Sequence, residues 1–219
     1  MTKDEVASII DHTILRIDVD YHFLEAVCFE ALKYRFATVA IHPCNIGVAR
    51  RWLDGSEVGI TAAIAFPLGS WTSEMKVFEA KDALQKGATE IDFVINLHAL
   101  KDKNYDVLKR EFELMRKATK DKVVKAILEV GFLNEDEIVK ACSLAAEAGM
   151  DFAKTSTGFF QKPTPDVVRL MSETLKGTQT KVKAAGGIRT AEDAKKMIEA
   201  GALRLGTSSG VQIVEGWKD

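Results

Sequence analysis

Six charged side chains sit where charge is costly. Asp92, Lys125, Glu129, Lys154, Lys181 and Lys183 all fall within short β-type runs that are otherwise apolar. A charge in such a run needs a partner or a function. Side chains alternate faces along a strand, so Lys181 and Lys183 share one face while Val182 takes the other; Lys125 and Glu129 also share a face. Two ammonium groups held close disfavour each other's charge, and burial lowers their pKa further. A neutral amine can attack a carbonyl to form a Schiff base. The iminium then serves as an electron sink for breaking the adjacent C–C bond. A carboxylate such as Asp92 can pass protons during those steps. The same residues would also suit a purely structural ion-pair network.

Two glycine clusters point to a second chemistry. Ala185-Gly186-Gly187-Ile188-Arg189-Thr190 follows the seventh β-run, and Gly206-Thr207-Ser208-Ser209-Gly210 follows the eighth. Backbone N–H groups exposed by glycines, with serine hydroxyls, make an anion cradle. Successive loops after strands 7 and 8 are the usual phosphate site of a (β/α)₈ barrel.

The elements that must position these groups are legible as an alternation. Strands are expected near 8–12, 37–42, 60–66, 91–96, 123–130, 151–156, 181–185 and 203–207. Helical patterns fill the gaps. Leu24, Val27, Cys28, Ala31 and Leu32 form one amphipathic stripe. Thr190 with Asp193 reads as a capping box before Ala194, Met197 and Ile198. Several strand runs are apolar almost throughout, as in a parallel sheet covered by helices. Eight such units predict a closed (β/α)₈ (TIM) barrel of class α/β, one domain across residues 1–219. Three helices should end at Gly87, Gly149 and Gly201. Five residues beyond each glycine stand Asp92, Lys154 and Gly206, which the spacing puts at comparable heights around the barrel.

Composition narrows the partners. The chain has 219 residues, 30 basic and 32 acidic side chains, and a net charge of −2. No basic block marks a nucleic-acid partner. No apolar run reaches the roughly 18 residues that span a membrane. The N-terminal Met1-Thr2-Lys3-Asp4-Glu5 lacks the apolar core of a signal peptide. Three cysteines, Cys28, Cys44 and Cys142, without CxxC spacing, fit a reducing cytoplasm.

Five segments, in order, make the chain resemble the deoxyribose-phosphate aldolases. They are Ala65-Phe66-Pro67-Leu68-Gly69, Glu90-Ile91-Asp92-Phe93-Val94-Ile95-Asn96, Lys154-Thr155-Ser156-Thr157-Gly158-Phe159, Val182-Lys183-Ala184-Ala185-Gly186-Gly187-Ile188-Arg189-Thr190 and Gly206-Thr207-Ser208-Ser209-Gly210. The likeness runs from Asp11-His12-Thr13 to Gly210. It implies a class I aldolase that cleaves 2-deoxyribose 5-phosphate, with no cofactor and no metal. It implies Lys154 as the Schiff-base lysine, kept neutral by Lys183 as the second lysine, with Asp92 as the proton relay. Gly158, Gly186, Gly187, Gly206, Ser208 and Ser209 would hold the phosphate. Thr157 and Asp11 would face the sugar-derived hydroxyls. A homodimer or homotetramer is implied as well.

Departures from the family pattern bear on substrate preference. They include His42 before Pro43, His98 after the fourth strand, and Phe160-Gln161-Lys162-Pro163 in place of a glycine-richer loop. Other readings remain open at this point. His12, His42 and His98 could line one mouth and hold a metal. A sugar-phosphate isomerase or a non-catalytic phosphate-ligand sensor would use the same cradle without a Schiff base.

Overall fold

All eight β-runs form parallel strands, and they close into a barrel in chain order. The computed structural model describes residues 1–218. The strands are β1 (Ile10–Ile14), β2 (Thr38–Ile41), β3 (Gly59–Ile64), β4 (Glu90–Val94), β5 (Val123–Ile127), β6 (Phe152–Lys154), β7 (Lys181–Ala185) and β8 (Ala202–Thr207). The helices are α1 (Lys3–Ala7), α2 (Tyr21–Tyr34), α3 (Ile46–Leu53), α4 (Ser73–Gln85), α5 (Leu97–Lys101), α6 (Tyr105–Thr119), α7 (Glu135–Glu147), α8 (Pro165–Thr174), α9 (Ala191–Glu199) and α10 (Gly210–Gly216). This is the (β/α)₈ architecture that the alternation predicts.

Local signals set the element ends. Asp20, Thr72, Asn134, Thr164 and Thr190 each accept a backbone N–H in the first turn of the helix that follows. The Thr190 and Asp193 capping box is present. Gly87, Gly149 and Gly201 take positive φ after α4, α7 and α9, as a left-handed helix end requires.

Boundaries differ where the backbone turns early. Thr2 and Glu5 cap α1 and Ser8 closes it, so β1 starts at Ile10 rather than at residue 8. β3 ends at Ile64, before Ala65 enters the left-handed region at φ 53°. β5 ends at Ile127, because Glu129 does the same at φ 52°.

The barrel separates two environments. One alternate set of strand residues, among them Ile10, Val39, Ile60, Ile91, Phe93, Val124, Val182 and Leu205, joins Leu24, Phe112, Ala141, Val168 and Met197 of the helices in the hydrophobic core. Each large apolar side chain buried there stabilises the fold by about 1.5–3 kcal/mol. The other set is polar: Asp11, Thr38, Thr61, Asp92, Lys125 and Lys183 are all buried. Lys181 departs from expectation, since it lies exposed at the start of β7. The end of β4 is clamped from outside the barrel. Buried Lys76 donates to the Val94 carbonyl (2.8 Å) and to Glu111 (2.7 Å), and Glu111 accepts the Asn96 N–H (2.8 Å). That clamp fixes the strand carrying Asp92.

Candidate active site

Lys154 ends β6 and Lys183 sits in β7, directly opposite it in the strand register. Asp92 reaches both from β4. Its Oδ2 accepts from Lys154 Nζ at 2.8 Å and from Lys183 Nζ at 2.7 Å. Its Oδ1 accepts from Lys125 Nζ at 2.8 Å. One carboxylate therefore holds three ammonium groups. Asp92 and Lys154, which the helix-end spacing puts at comparable heights, do meet.

The network continues towards the N-terminal end of the strands. Lys183 pairs with Asp11, and Asp11 Oδ1 accepts from Arg204 Nε and from Thr38 Oγ1, both at 2.8 Å. Arg204 Nη2 donates to both oxygens of Glu90, at 2.9 and 3.0 Å. Lys125 closes the loop onto Glu90 at 2.5 Å. Four cations thus face three carboxylates, leaving one positive charge in excess.

That imbalance and burial set the titration. Burial alone would raise Asp92, but Lys125, Lys154 and Lys183 outweigh it and hold the carboxyl well below its usual range. Asp11 is held low in the same way by Lys183, Lys125 and Arg204. Burial would lower Lys125, yet Asp92, Asp11 and Glu90 drive it up. Lys183 goes the other way. Its burial outweighs Asp11 and Asp92, Lys154 and Lys125 add to the depression, and its pKa falls to about 8. Lys183 is fully enclosed, and burial is the largest cause of its depression.

Above the network lies a cleft of about 570 Å³. Lys154 is the network lysine that lines it, with Thr157, Gly158, Gly186, Gly187, Gly206 and Ser208. Gly186 (φ 106°) and Gly187 (φ 73°) occupy backbone conformations that favour glycine. Among the described residues, the N–H groups of Gly158, Gly187 and Ser208 meet no protein acceptor. Unsatisfied donors around one cleft suit an anion. Gly206 has a second reason to lack a side chain. A Cβ there would meet Ala185 Cβ at 3.0 Å and Lys183 Cε at 3.2 Å, so the glycine leaves room for the lysine.

Thr157 is fixed between the site and its support. Its N–H donates to Glu129 Oε2 (2.9 Å), and its Oγ1 accepts from Phe159 N–H (3.2 Å). Burial raises the Glu129 pKa, and the Thr157 contacts only partly offset this. Ser209 immediately precedes α10 without a side-chain capping bond, and its N–H donates to Thr207 Oγ1 (2.9 Å); it is not among the residues of the cleft wall. Asp11 also departs from expectation. It lies in the network below the cleft, fully buried, with its oxygens taken up by Lys183, Arg204 and Thr38.

The histidines do not converge. His12 alternates to the outer face of β1, where Nε2 meets Glu30 at 2.7 Å and the ring packs near Phe36. His42 Nε2 meets the Leu15 carbonyl at 3.0 Å, and His98 is exposed on α5. Among the described residues, no group of three or more His, Cys, Asp or Glu is placed to hold a metal.

Glu90 and Arg204 are not among the six charges that stand out within the apolar runs. Glu90 lies one residue before the expected fourth strand. Arg204 stands between Leu203 and Leu205, and alternation along β8 would have found it.

The family model described as DeoC/LacD family aldolase matches residues 6–216. A deoxyribose-phosphate aldolase of Thermoanaerobacter sp. (strain X514) is 50% identical, covering 97% of this chain and 96% of the relative. One from Clostridium perfringens (strain SM101 / Type A) is 48% identical, covering 99% and 97%. The tetrameric structure of deoxyribose phosphate aldolase from Aeropyrum pernix superimposes with a TM-score of 0.89 at 31% identity, covering 98% of this chain and 91% of that one.

Removing one anion tests the charge balance. Asp11 supports the protonated form of Lys183, so Asp11→Asn should lower the Lys183 pKa further below about 8. An NMR titration of isotope-labelled lysine side chains reads the shift; an unchanged or higher value contradicts the balance described.

Proposed function

The chain belongs to the DeoC/LacD family of aldolases, and we propose that it reversibly cleaves 2-deoxy-D-ribose 5-phosphate to D-glyceraldehyde 3-phosphate and acetaldehyde through a Schiff base on Lys154. The observation that carries this reading is the bridge from Asp92 Oδ2 to both Lys154 and Lys183 at the floor of a glycine-lined cleft.

The network has one proton to lose, and Lys183 is the group that burial predisposes to lose it. Asp92 Oδ2 then offers Lys154 a route to pass its own proton to Lys183. The freed Lys154 amine attacks C1 of the open-chain aldehyde. Loss of the carbonyl oxygen as water gives the iminium. The C3 hydroxyl gives up its proton, the C2–C3 bond breaks, and its electron pair enters the enamine. D-Glyceraldehyde 3-phosphate leaves. Protonation at C2 restores an iminium, and water releases acetaldehyde and Lys154. Asp92 takes and returns protons at Lys154 Nζ, 2.8 Å away.

The phosphate lies against Gly158, Gly186, Gly187, Gly206 and Ser208, where the N–H groups of Gly158, Gly187 and Ser208 and the Ser208 hydroxyl are on offer, and Ser209 supports the turn through its bond to Thr207 Oγ1. Thr157 faces the sugar-derived hydroxyls from the cleft wall. Asp11 acts from below, by holding Lys183 and Arg204 in place.

We further infer a cytoplasmic homodimer or homotetramer. Three free cysteines accord with a reducing compartment. Leu68, Trp71, Met75 and Phe78 expose apolar side chains along the approach to α4 and its outer surface, as a subunit interface would. Light scattering should give the mass of two or four chains; the mass of one chain contradicts the oligomer.

Borohydride trapping tests the reaction. Incubation with acetaldehyde and reduction should leave an N-ethyl group on Lys154, found by peptide mass spectrometry. Lys154→Ala should abolish both adduct and turnover, and Asp92→Asn should slow turnover about 10²- to 10⁴-fold. An adduct confined to another lysine, or near-full activity of Lys154→Ala, overturns the assignment.

A further inference from the structure

The chain after the lysine motif reads Phe159-Phe160-Gln161-Lys162-Pro163. Four of these five side chains are tied down. Phe159 meets Phe66 edge-on, with ring centroids 5.4 Å apart. Phe160 packs against Phe132 at 5.1 Å. Gln161 lies over Gly131, where an added Cβ would meet Gln161 Cβ at 2.5 Å. Pro163 is buried, and its Cδ would lie 3.2 Å from a Cβ on Gly186. The fifth, Lys162, is held by its stem alone. A Cβ on Gly187 would meet Lys162 Cγ at 2.7 Å and Cε at 2.8 Å, so the methylenes occupy the space the glycine vacates. Lys162 also lines the cleft.

Charge at the cleft leaves two candidates, and the seat on Gly187 chooses between them. Arg16, Lys154, Lys162 and Arg189 line it, and Glu30 is its one acidic lining residue among the described residues. Glu30 is engaged by His12, Arg16 by both oxygens of Asp18, and Lys154 by Asp92. Among the described residues, the side chains of Lys162 and Arg189 meet no carboxylate, although the Arg189 backbone N–H donates to Asp193. The N–H groups of Gly158, Gly187 and Ser208 are dipoles without net charge, whereas a sugar phosphate carries a dianion. A cation seated on the cradle glycine supplies the missing charge.

We propose that Lys162 is a specificity-determining residue, its ammonium closing the glycine cradle over the substrate phosphate and setting the preference for phosphorylated over unphosphorylated sugars. The proposal rests on the aldolase reading of the cleft. Because the stem is already seated, little side-chain entropy is lost when the phosphate arrives.

The test compares Lys162→Met and Lys162→Arg with the unaltered enzyme. Cleavage of 2-deoxyribose 5-phosphate and of 2-deoxyribose is measured, together with the Kd for inorganic phosphate. Lys162→Met should reduce the ratio of kcat/KM for the two sugars about 10- to 100-fold, chiefly through KM, and weaken phosphate binding. Lys162→Arg should restore most of both. An unchanged ratio in Lys162→Met overturns the proposal, as does an equal loss for both sugars. If the unaltered enzyme cleaves neither sugar, the aldolase reading fails on its own. The phosphate Kd then decides: weaker binding in Lys162→Met upholds the cation's role, and equal binding removes it.

Discussion

The site depends on one carboxylate holding three ammonium groups inside a closed barrel. Asp92 spends one oxygen on Lys125 and the other on both Lys154 and Lys183. A charge isolated at such depth would be prohibitive, and removing one partner of a buried pair costs about 3–5 kcal/mol. Every member of the network is therefore a condition for the others. Arg204 and Glu90 anchor the end remote from the cleft, Asp11 the middle, and Lys154 the end that reaches the cleft. The excess of one cation makes the arrangement chemical as well as structural, because it can release a proton and become neutral.

The fold permits this by separating its two interiors. The hydrophobic core lies between strands and helices, so stability does not require apolar side chains inside the barrel. Alternation along each strand sends Ile91 and Phe93 outward and Asp92 inward, and the same rule parts Val182 and Ala184 from Lys183. Closure of eight parallel strands then brings residues from β1, β4, β5, β6, β7 and β8 within hydrogen-bond reach of one another.

Much of this was legible in the sequence because charge inside an apolar strand is conspicuous. Asp92, Lys154 and Lys183 announced themselves that way, and the glycines after β7 and β8 marked the wall of the cleft. What stayed hidden has physical reasons. Glu90 fell outside an expected strand by a single residue. The family resemblance implied that Asp11 faces substrate, and its depth below the cleft follows from strand pairing with β2 and β8. Glu129 adopts a left-handed backbone with no glycine to signal it, so the alternation that would have paired it with Lys125 does not reach it. The seat of the Lys162 stem on Gly187, with Gln161 on Gly131 and Pro163 against Gly186, joins residues distant in sequence and adjacent only once the barrel closes.

The pH dependence of kcat/KM for 2-deoxyribose 5-phosphate tests the central claim most directly. A cluster that must shed one proton before an amine can attack is inactive when fully protonated. The rate should therefore climb about tenfold per pH unit on the acid side and level off above about 8, where Lys183 is neutral. A profile that stays flat through that range, or falls as the pH rises through it, would contradict the account.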